Sequence, residues 1–263
     1  MDVLVCIKQV PGTSAVDMDP DTGVLLRSGA DAKMNPYDLY ALETALRLRE
    51  QYGGTVRVLS MGPPQAEAVI REAFSMGADG GALLSGPCFA GSDVLATSYA
   101  LSQGIRKLGD YDLILCGKQT TDGDTAQAGP EIAELLGIPS VSNVRKVVEA
   151  DGASITVETD TQSDAVTLRV SLPCLLAVDK DIAQPRLPSY RRKQEAKGRP
   201  VQNLGLPDMY DQDENHYGLN GSPTSVVRIF PPQSDVRQEV WRDSGGALAG
   251  ALYGKLRELK FIG

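Results

Sequence analysis

At 263 residues and 42% hydrophobic content, the chain can bury a sizeable core, as one large domain or as one domain plus an extension. No apolar run is long enough to span a bilayer, and MDVLVCIKQVPG, with its acidic second residue, reads as a first strand and not as a signal peptide. A net charge of −8 argues against nucleic-acid binding, and the single histidine, His216, excludes a His-built zinc site and a Ser-His-Asp triad.

VLVCIKQV (3–10) is β-branched and continuous, the pattern of a strand buried on both faces. NPYDLYALETALRLREQYGG (35–54) is a helix with Asn35 as N-cap, Pro36 at the first helical position, and Leu39, Leu42, Ala45 and Leu46 on one side. VRVLSMG (56–62) is a strand, PPQAEAVIREAFSMGA (63–78) a helix and ALLSG (82–86) a short strand. SDVLATSYALSQGIRKLG (92–109) is a helix with Ser92 as N-cap, LILCG (113–117) the next strand, and PEIAELLG (130–137) the next helix. This alternation predicts βαβ units with right-handed crossovers, hence an α/β fold with a doubly wound, mostly parallel sheet covered on both faces. Cys6, Cys88, Cys116 and Cys174 are scattered without a CxxC pair, which points to buried thiols, a cytoplasmic setting and no metal centre.

Beyond about residue 145 the texture changes. ASITVETD (153–160) and AVTLRVSLPCLLAVD (165–179) are expected to pair antiparallel as an added β-hairpin. DIAQPRLPSYRRKQEAKGRP (181–200) carries three prolines and six basic residues. The tract to about 243 is rich in Asp, Asn, Gly and Pro around one apolar burst, SVVRIFPP (225–232), and the chain closes on an amphipathic helical pattern, GGALAGALYGKLRELKFIG (245–263). A long aperiodic tract is unusual inside a compact domain. The expected division is therefore an α/β domain over 1–200 and a C-terminal arm and helix over 201–263, with Val226, Ile229 and Phe230 buried on a second chain.

In a doubly wound sheet, ligands bind at the carboxyl ends of the strands, where helix N-termini attract phosphate. LILCGKQTTDGDTAQAGPEIAELLG (113–137) is such a place: Gly117, Gly123, Ala126, Ala128 and Gly129 let a ligand approach the backbone, and Thr120, Thr121 and Thr125 offer hydroxyls. Pro130 places the following helix start near Gln127–Gly129. Neither GxxxxGK[ST] nor GxGxxG occurs, so on composition a nucleotide site and a merely long polar loop both stand. The loops 6–23, 61–64 and 85–93 should converge on the same edge. Their capping residues have structural reasons of their own, but four converging loops favour a nucleotide.

Taken together, VLVCIKQVP, KMNPYDLYALE, LSMGPPQAE and CGKQTTDGDTAQAGPEIAELLG resemble the beta subunit of electron-transfer flavoproteins, as does PRLPSYRRK after SLPCLLAVDKD. The resemblance covers essentially the whole chain. It implies an α/β domain like that of the adenine-nucleotide alpha hydrolases, paired with an alpha subunit that carries its own FAD. FAGSDVLATSYAL (89–101) is similar to the bifurcating members, whose beta subunit holds a second FAD and exchanges hydride with NADH. Ordinary members hold a structural AMP in that cleft.

The resemblance further implies adenosine and phosphate contacts at Cys6 and Met61 through their backbones, at Asn35 and Asp38, and along Asp122, Gly123, Asp124, Thr125, Ala126, Gln127 and Gly129. Within that loop Asp122 and Asp124 suit ribose hydroxyls or backbone amides, and Thr125 and Gln127 phosphate or ribose. Phe89, Gly91, Ser92, Asp93 and Thr97 fall on the flavin and NAD(H) side: Phe89 against a ring, Gly91 close to a diphosphate, Ser92 and Asp93 at a helix start. No acid–base residue is implied, since the protein's levers are stacking, charge and distance. Electrons from NADH would divide between ferredoxin and the alpha-subunit FAD. Pro185–Arg199, with Arg186, Arg191, Arg192 and Lys193, corresponds to the loop that recognises the partner dehydrogenase. It lacks the Met-Lys-Ala-Lys-Lys-like run of members serving acyl-CoA dehydrogenases, which tells against a standard fatty acyl-CoA dehydrogenase; a 2-hydroxy-acid dehydrogenase, or another acyl- or enoyl-CoA type such as an enoyl-CoA reductase, fits no worse as the implied partner. The alternatives are an ordinary beta subunit with AMP, not itself redox-active, and a free-standing AMP- or ATP-binding regulatory domain.

Overall fold

The apolar run at the N-terminus forms β1 (Val3–Cys6), every residue of it buried, because the side chains that alternate across a strand meet helices on both faces. The computed structural model describes residues 1–12, 32–161, 163–225, 227, 239–243 and 245–262. A short antiparallel pair follows, β2 (Gln9–Pro11) with β3 (Ala32–Met34). Then come α1 (Pro36–Tyr52), β4 (Val56–Met61), α2 (Glu67–Met76), β5 (Gly80–Leu84), α3 (Val94–Leu108), β6 (Leu113–Gly117) and α4 (Ala128–Leu136). The second half adds β7 (Ser140–Ala150), β8 (Ser154–Asp160), β9 (Ala165–Ser171), β10 (Cys174–Val178), α5 (Tyr190–Ala196), β11 (Gln202–Leu204) and α6 (Gly245–Glu258).

Among the described residues the main sheet has nine strands in the order β11-β5-β4-β1-β6-β10-β7-β8-β9. Every pair from β11 to β7 is parallel, and β8 and β9 continue antiparallel. Val3 and Val5 face one apolar cluster with Leu42 and Leu46 of α1 and Ile70 and Phe74 of α2. Leu4 and Cys6 face the other, with Ala100 and Ile105 of α3 and Ile132 of α4. The doubly wound α/β fold is thus observed.

The second half departs from the expected hairpin. The run 165–179 is two strands and not one: Pro173 lacks the N–H a central ladder needs, so the chain breaks there. The exposed half, β9, pairs with β8, while the wholly buried half, β10, enters the parallel sheet between β6 and β7. The antiparallel part is a three-stranded meander, because β7, which the periodicity did not single out, precedes it. Its register shifts between Val144 and Lys146 and again between Val147 and Glu149, so the apolar residues lose the strict alternation that marks a strand.

By its contacts the chain divides into two compact units, Met1–Val227 and Arg228–Gly263. Residues 202–225, whose composition predicts an arm, lie in the first unit: β11 extends the sheet beside β5, and Met209 and Tyr217 are buried in its core. In the second unit α6 buries none of its residues and exposes Leu252 and Tyr253. Val226, Ile229 and Phe230 lie outside the described residues.

Candidate functional site

From β1 the chain proceeds to β4 and β5 on one side, and β6, β10 and β7 lie on the other. The carboxyl ends of β1 and β6 therefore flank the point where the winding reverses, the place where open α/β sheets bind ligands. Asn35 and Asp38, at the start of α1, fill the space between them. Asp38 Oδ2 accepts from Lys8 N (2.7 Å), and its Oδ1 accepts from Gly117 N (3.3 Å) and Asn35 Nδ2 (2.9 Å). Asn35 also donates Nδ2 to Gln119 O (2.9 Å) and accepts from Thr121 N (3.3 Å). Asn35 stands at the helix N-cap, but its side chain makes no cap bond; it is engaged with the next loop. Both side chains are buried and bonded to protein groups. Burial pushes the Asp38 carboxyl up to about 7, against the opposing pull of these donors.

Cys6 ends β1 opposite Cys116 of β6, and both thiols point into the apolar cluster under α3 and α4. Burial raises both, Cys6 to about 12, so neither is a thiolate nucleophile at neutral pH. Cys6 can meet a ligand through its backbone. Met61, half-buried, ends β4 on the same edge.

The loop after β6 is exposed from Thr121 to Gln127. Asp124 and Ala126 take left-handed φ values of 46° and 57°, and the Asp124 N–H turns back to Thr120 O (3.2 Å). Helix α4 begins at Ala128 with Gln127 as N-cap, as Pro130 requires. The N–H groups of Ala128 and Gly129 take no partner among the described residues. A built Cβ on Gly123 comes no closer than 3.5 Å to Thr120 Oγ1, whereas on Gly129 it would lie 2.8 Å from Cys116 Sγ. Gly123 thus borders open space, while Gly129 lets the helix start sit down on the sheet. Asp122 is paired with Lys8 (2.9 Å); burial raises its carboxyl, but the Lys8 bond and charge leave it net lowered, so it is ionised and already partnered. A helix start with free N–H groups, left-handed residues and an open glycine fits a phosphate-bearing nucleotide. Thr125, Ala126 and Gln127 are the exposed groups nearest that start.

The loop after β5 is held from outside by the chain's own later segment. Phe89 is buried with its ring edge-on to Tyr217, centroids 5.5 Å apart, so the ring does not present a stacking face. Gly91 takes φ 74°, and a Cβ there would lie 2.6 Å from Leu219. Ser92 donates its hydroxyl to Phe89 O (2.8 Å) and is not the helix cap; that position belongs to Asp93, whose Oδ1 accepts from Ala96 N (3.0 Å). Asp93 Oδ2 accepts from Thr224 N (3.0 Å) and Thr224 Oγ1 (2.8 Å). Thr97 is half-buried in the first turn of α3. Sequence reasoning did not find Thr224 or Tyr217, since a polar tract gives no sign of the loop it will cover.

The 181–200 segment is less free than its composition suggests. Arg186 bonds Glu43 (2.8 Å), which is buried, and Glu50 (2.6 Å). Arg192 donates to Met76 O (2.8 Å), and Arg199 to Ala78 O (2.6 Å). Leu187 and Tyr190, 88% and 77% exposed, and the exposed Arg191 and Lys193 remain outward.

A doubly wound α/β domain with a phosphate-suited helix start at its switch point has the geometry at which open sheets of this class bind ligands. The comparisons give the family. The model of the electron transfer flavoprotein domain matches residues 22–209. An "electron transfer flavoprotein subunit beta" of Thermoanaerobacterium thermosaccharolyticum is 45% identical over 92% of each chain. "Protein FixA" of Bradyrhizobium diazoefficiens is 42% identical over 96% of this chain and 90% of its own. "Caffeyl-CoA reductase-Etf complex subunit CarD" of Acetobacterium woodii is 40% identical over the whole of both. The chain belongs to the electron-transfer flavoprotein family and is of the beta-subunit type. Among the described residues no helix is long and apolar enough to cross a membrane, and no group of metal-ligating side chains is found.

Proposed function

We propose that the chain is the beta subunit of an electron-bifurcating electron-transfer flavoprotein, with FAD at the ends of β1 and β6 and electrons exchanged among NADH, ferredoxin and a partner dehydrogenase. The observation that carries the reading is the presence of two glycine-bearing loops on one carboxyl edge of the sheet: Thr121–Gly129 after β6, and 85–93 after β5, two strands beyond β1. A mononucleotide is served by the first loop alone; a longer dinucleotide makes use of both. Bound FAD would supply the two-electron and one-electron chemistry that no side chain of this chain can.

The residues have separate parts. The N–H groups of Ala128 and Gly129 receive phosphate, Thr125 and Gln127 flank it, and Cys6 and Met61 offer backbone groups to the adenosine. Gly91, exposed beside Leu219, is where NADH approaches. Leu187, Tyr190, Arg191 and Lys193 dock the dehydrogenase within Pro185–Arg199, and the apolar side chains of α6 are covered by the alpha subunit. The name of the Acetobacterium relative, a subunit of a reductase–Etf complex, supports an enoyl-CoA-type partner; a 2-hydroxy-acid dehydrogenase suits the same surface. The cytoplasm suits all of these partners.

A second reading, a structural AMP, is favoured by one observation: the Phe89 ring and the Asp93 carboxylate are both engaged within the chain, which leaves fewer side chains for a flavin there. Acid extraction of the purified heterodimer separates the two. Two FAD per heterodimer supports bifurcation, and one FAD with one AMP supports the alternative.

A further inference from the structure

The buried pair at the switch point is bonded to the chain's own groups. Asp38 Oδ1 and Oδ2 receive three N–H donors, and the Asn35 amide bonds on three sides: to Asp38, to Gln119 O and from Thr121 N. Asn35 N also donates to Lys8 O (2.8 Å). The pair therefore ties the end of β1 at Lys8 to the stretch after β6 from Gly117 to Thr121. Gly117 is part of the device. A Cβ there would fall 2.5 Å from Tyr37 Cβ and 2.6 Å from Asp38 Oδ1, so only glycine lets Asp38 reach the β6 backbone. Asn35 is 0% and Asp38 4% exposed, which leaves neither with a face toward a ligand on the exposed loop.

We infer that Asn35 and Asp38 are positioning residues that set the conformation of Gly117–Thr121, and through it the Thr121–Gly129 loop, before any nucleotide binds. This rests on the reading of that loop as a nucleotide site, but its first readout does not. Ionised, above about pH 7, the carboxylate presents acceptors only. An amide in its place turns its NH2 toward Lys8 N in one orientation and toward Gly117 N and Asn35 Nδ2 in the other, so at least one bond is lost whichever way it is flipped. The backbone it held is then released.

The test uses the heterodimer stripped of nucleotide, as parent, Asp38→Asn and Asn35→Ala. Hydrogen exchange of the 117–123 peptide is measured against the 56–61 peptide of β4 in the same sample, which controls for general loss of fold. Affinity is measured with AMP as probe. Loss of one such bond should speed exchange over 117–123 by about tenfold, leave 56–61 unchanged, and weaken AMP by about the same factor. Weakened AMP with unchanged exchange overturns the inference, since the pair would then be ligand contacts; so does no change in either. Faster exchange over 117–123 with unchanged AMP affinity supports the positioning role and counts instead against the loop as the nucleotide site.

Discussion

Thr224 and Asp93, 131 residues apart, are joined twice: the Thr224 N–H and hydroxyl both donate to Asp93 Oδ2, at 3.0 and 2.8 Å. With Oδ1 capping α3, both oxygens of this carboxylate are engaged within the chain. The late polar tract thus fastens the loop that the family resemblance assigns to NAD(H). Thr224→Val should lower stability by about 1 kcal/mol and Thr224→Ser by less, measured by denaturant unfolding of the heterodimer. Equal losses in the two variants would show that the hydroxyl bond contributes nothing.

Arg186 is expected to be structural. Glu43 is 3% exposed and bonded by Arg186 and Arg47, so Arg186→Met strips a buried carboxylate of its main partner and should cost about 3 kcal/mol. Arg191→Glu with Lys193→Glu, on exposed positions, should change stability by less than about 0.5 kcal/mol while impairing electron delivery to the dehydrogenase. Denaturant midpoints and coupled dehydrogenase assays separate the two roles. Unimpaired delivery in the double variant would remove the docking assignment from those two side chains.

Gly123 and Gly129 should behave differently, although the sequence places them in one glycine-bearing loop. Gly129→Val drives a side chain into Cys116 and should lower both stability and cofactor content. Gly123→Val meets only Thr120 Oγ1, at an ordinary contact distance, so it should leave the melting temperature nearly unchanged and release nucleotide. Stoichiometric cofactor in Gly123→Val would mean that the ligand does not cross that position.

Asp38 sets a pH dependence. Its carboxyl in the folded chain is raised by burial to about 7 from an ordinary 3.8, so ionisation opposes folding. The protonated form's contribution is complete below 3.8 and is lost as pH rises through about 7. The melting temperature of the stripped parent should therefore fall more between about pH 5 and pH 8 than that of Asp38→Asn. Parallel curves would show that Asp38 titrates as an ordinary aspartate.

What the sequence revealed follows from the physics of each element. The βαβ half was legible because strands such as Val3–Cys6 are buried on both faces and their helices start on Asn-Pro or Pro-Pro. The strand at Ser140–Ala150 was not, because two register shifts and the interposed Arg145, Lys146 and Glu149 erase its period. The phosphate-suited loop could be read from Gly, Thr and a first-turn proline, which act locally. Arg186 and Arg192 read in sequence only as members of a basic partner-recognition loop, because their own partners, Glu43 and Met76 O, lie more than a hundred residues away. Phe89 was expected to face a ring for the same reason: nothing near it in sequence announces Tyr217.

The most direct test of the account is anaerobic titration of the purified heterodimer with NADH, followed by visible absorbance and normalised to FAD extracted per heterodimer. Two FAD per heterodimer, with bleaching by NADH that a bulky residue at Gly91 abolishes while FAD content is kept, is the result predicted. One FAD with one AMP, or bleaching that proceeds as readily in the Gly91 variant as in the parent, would contradict it.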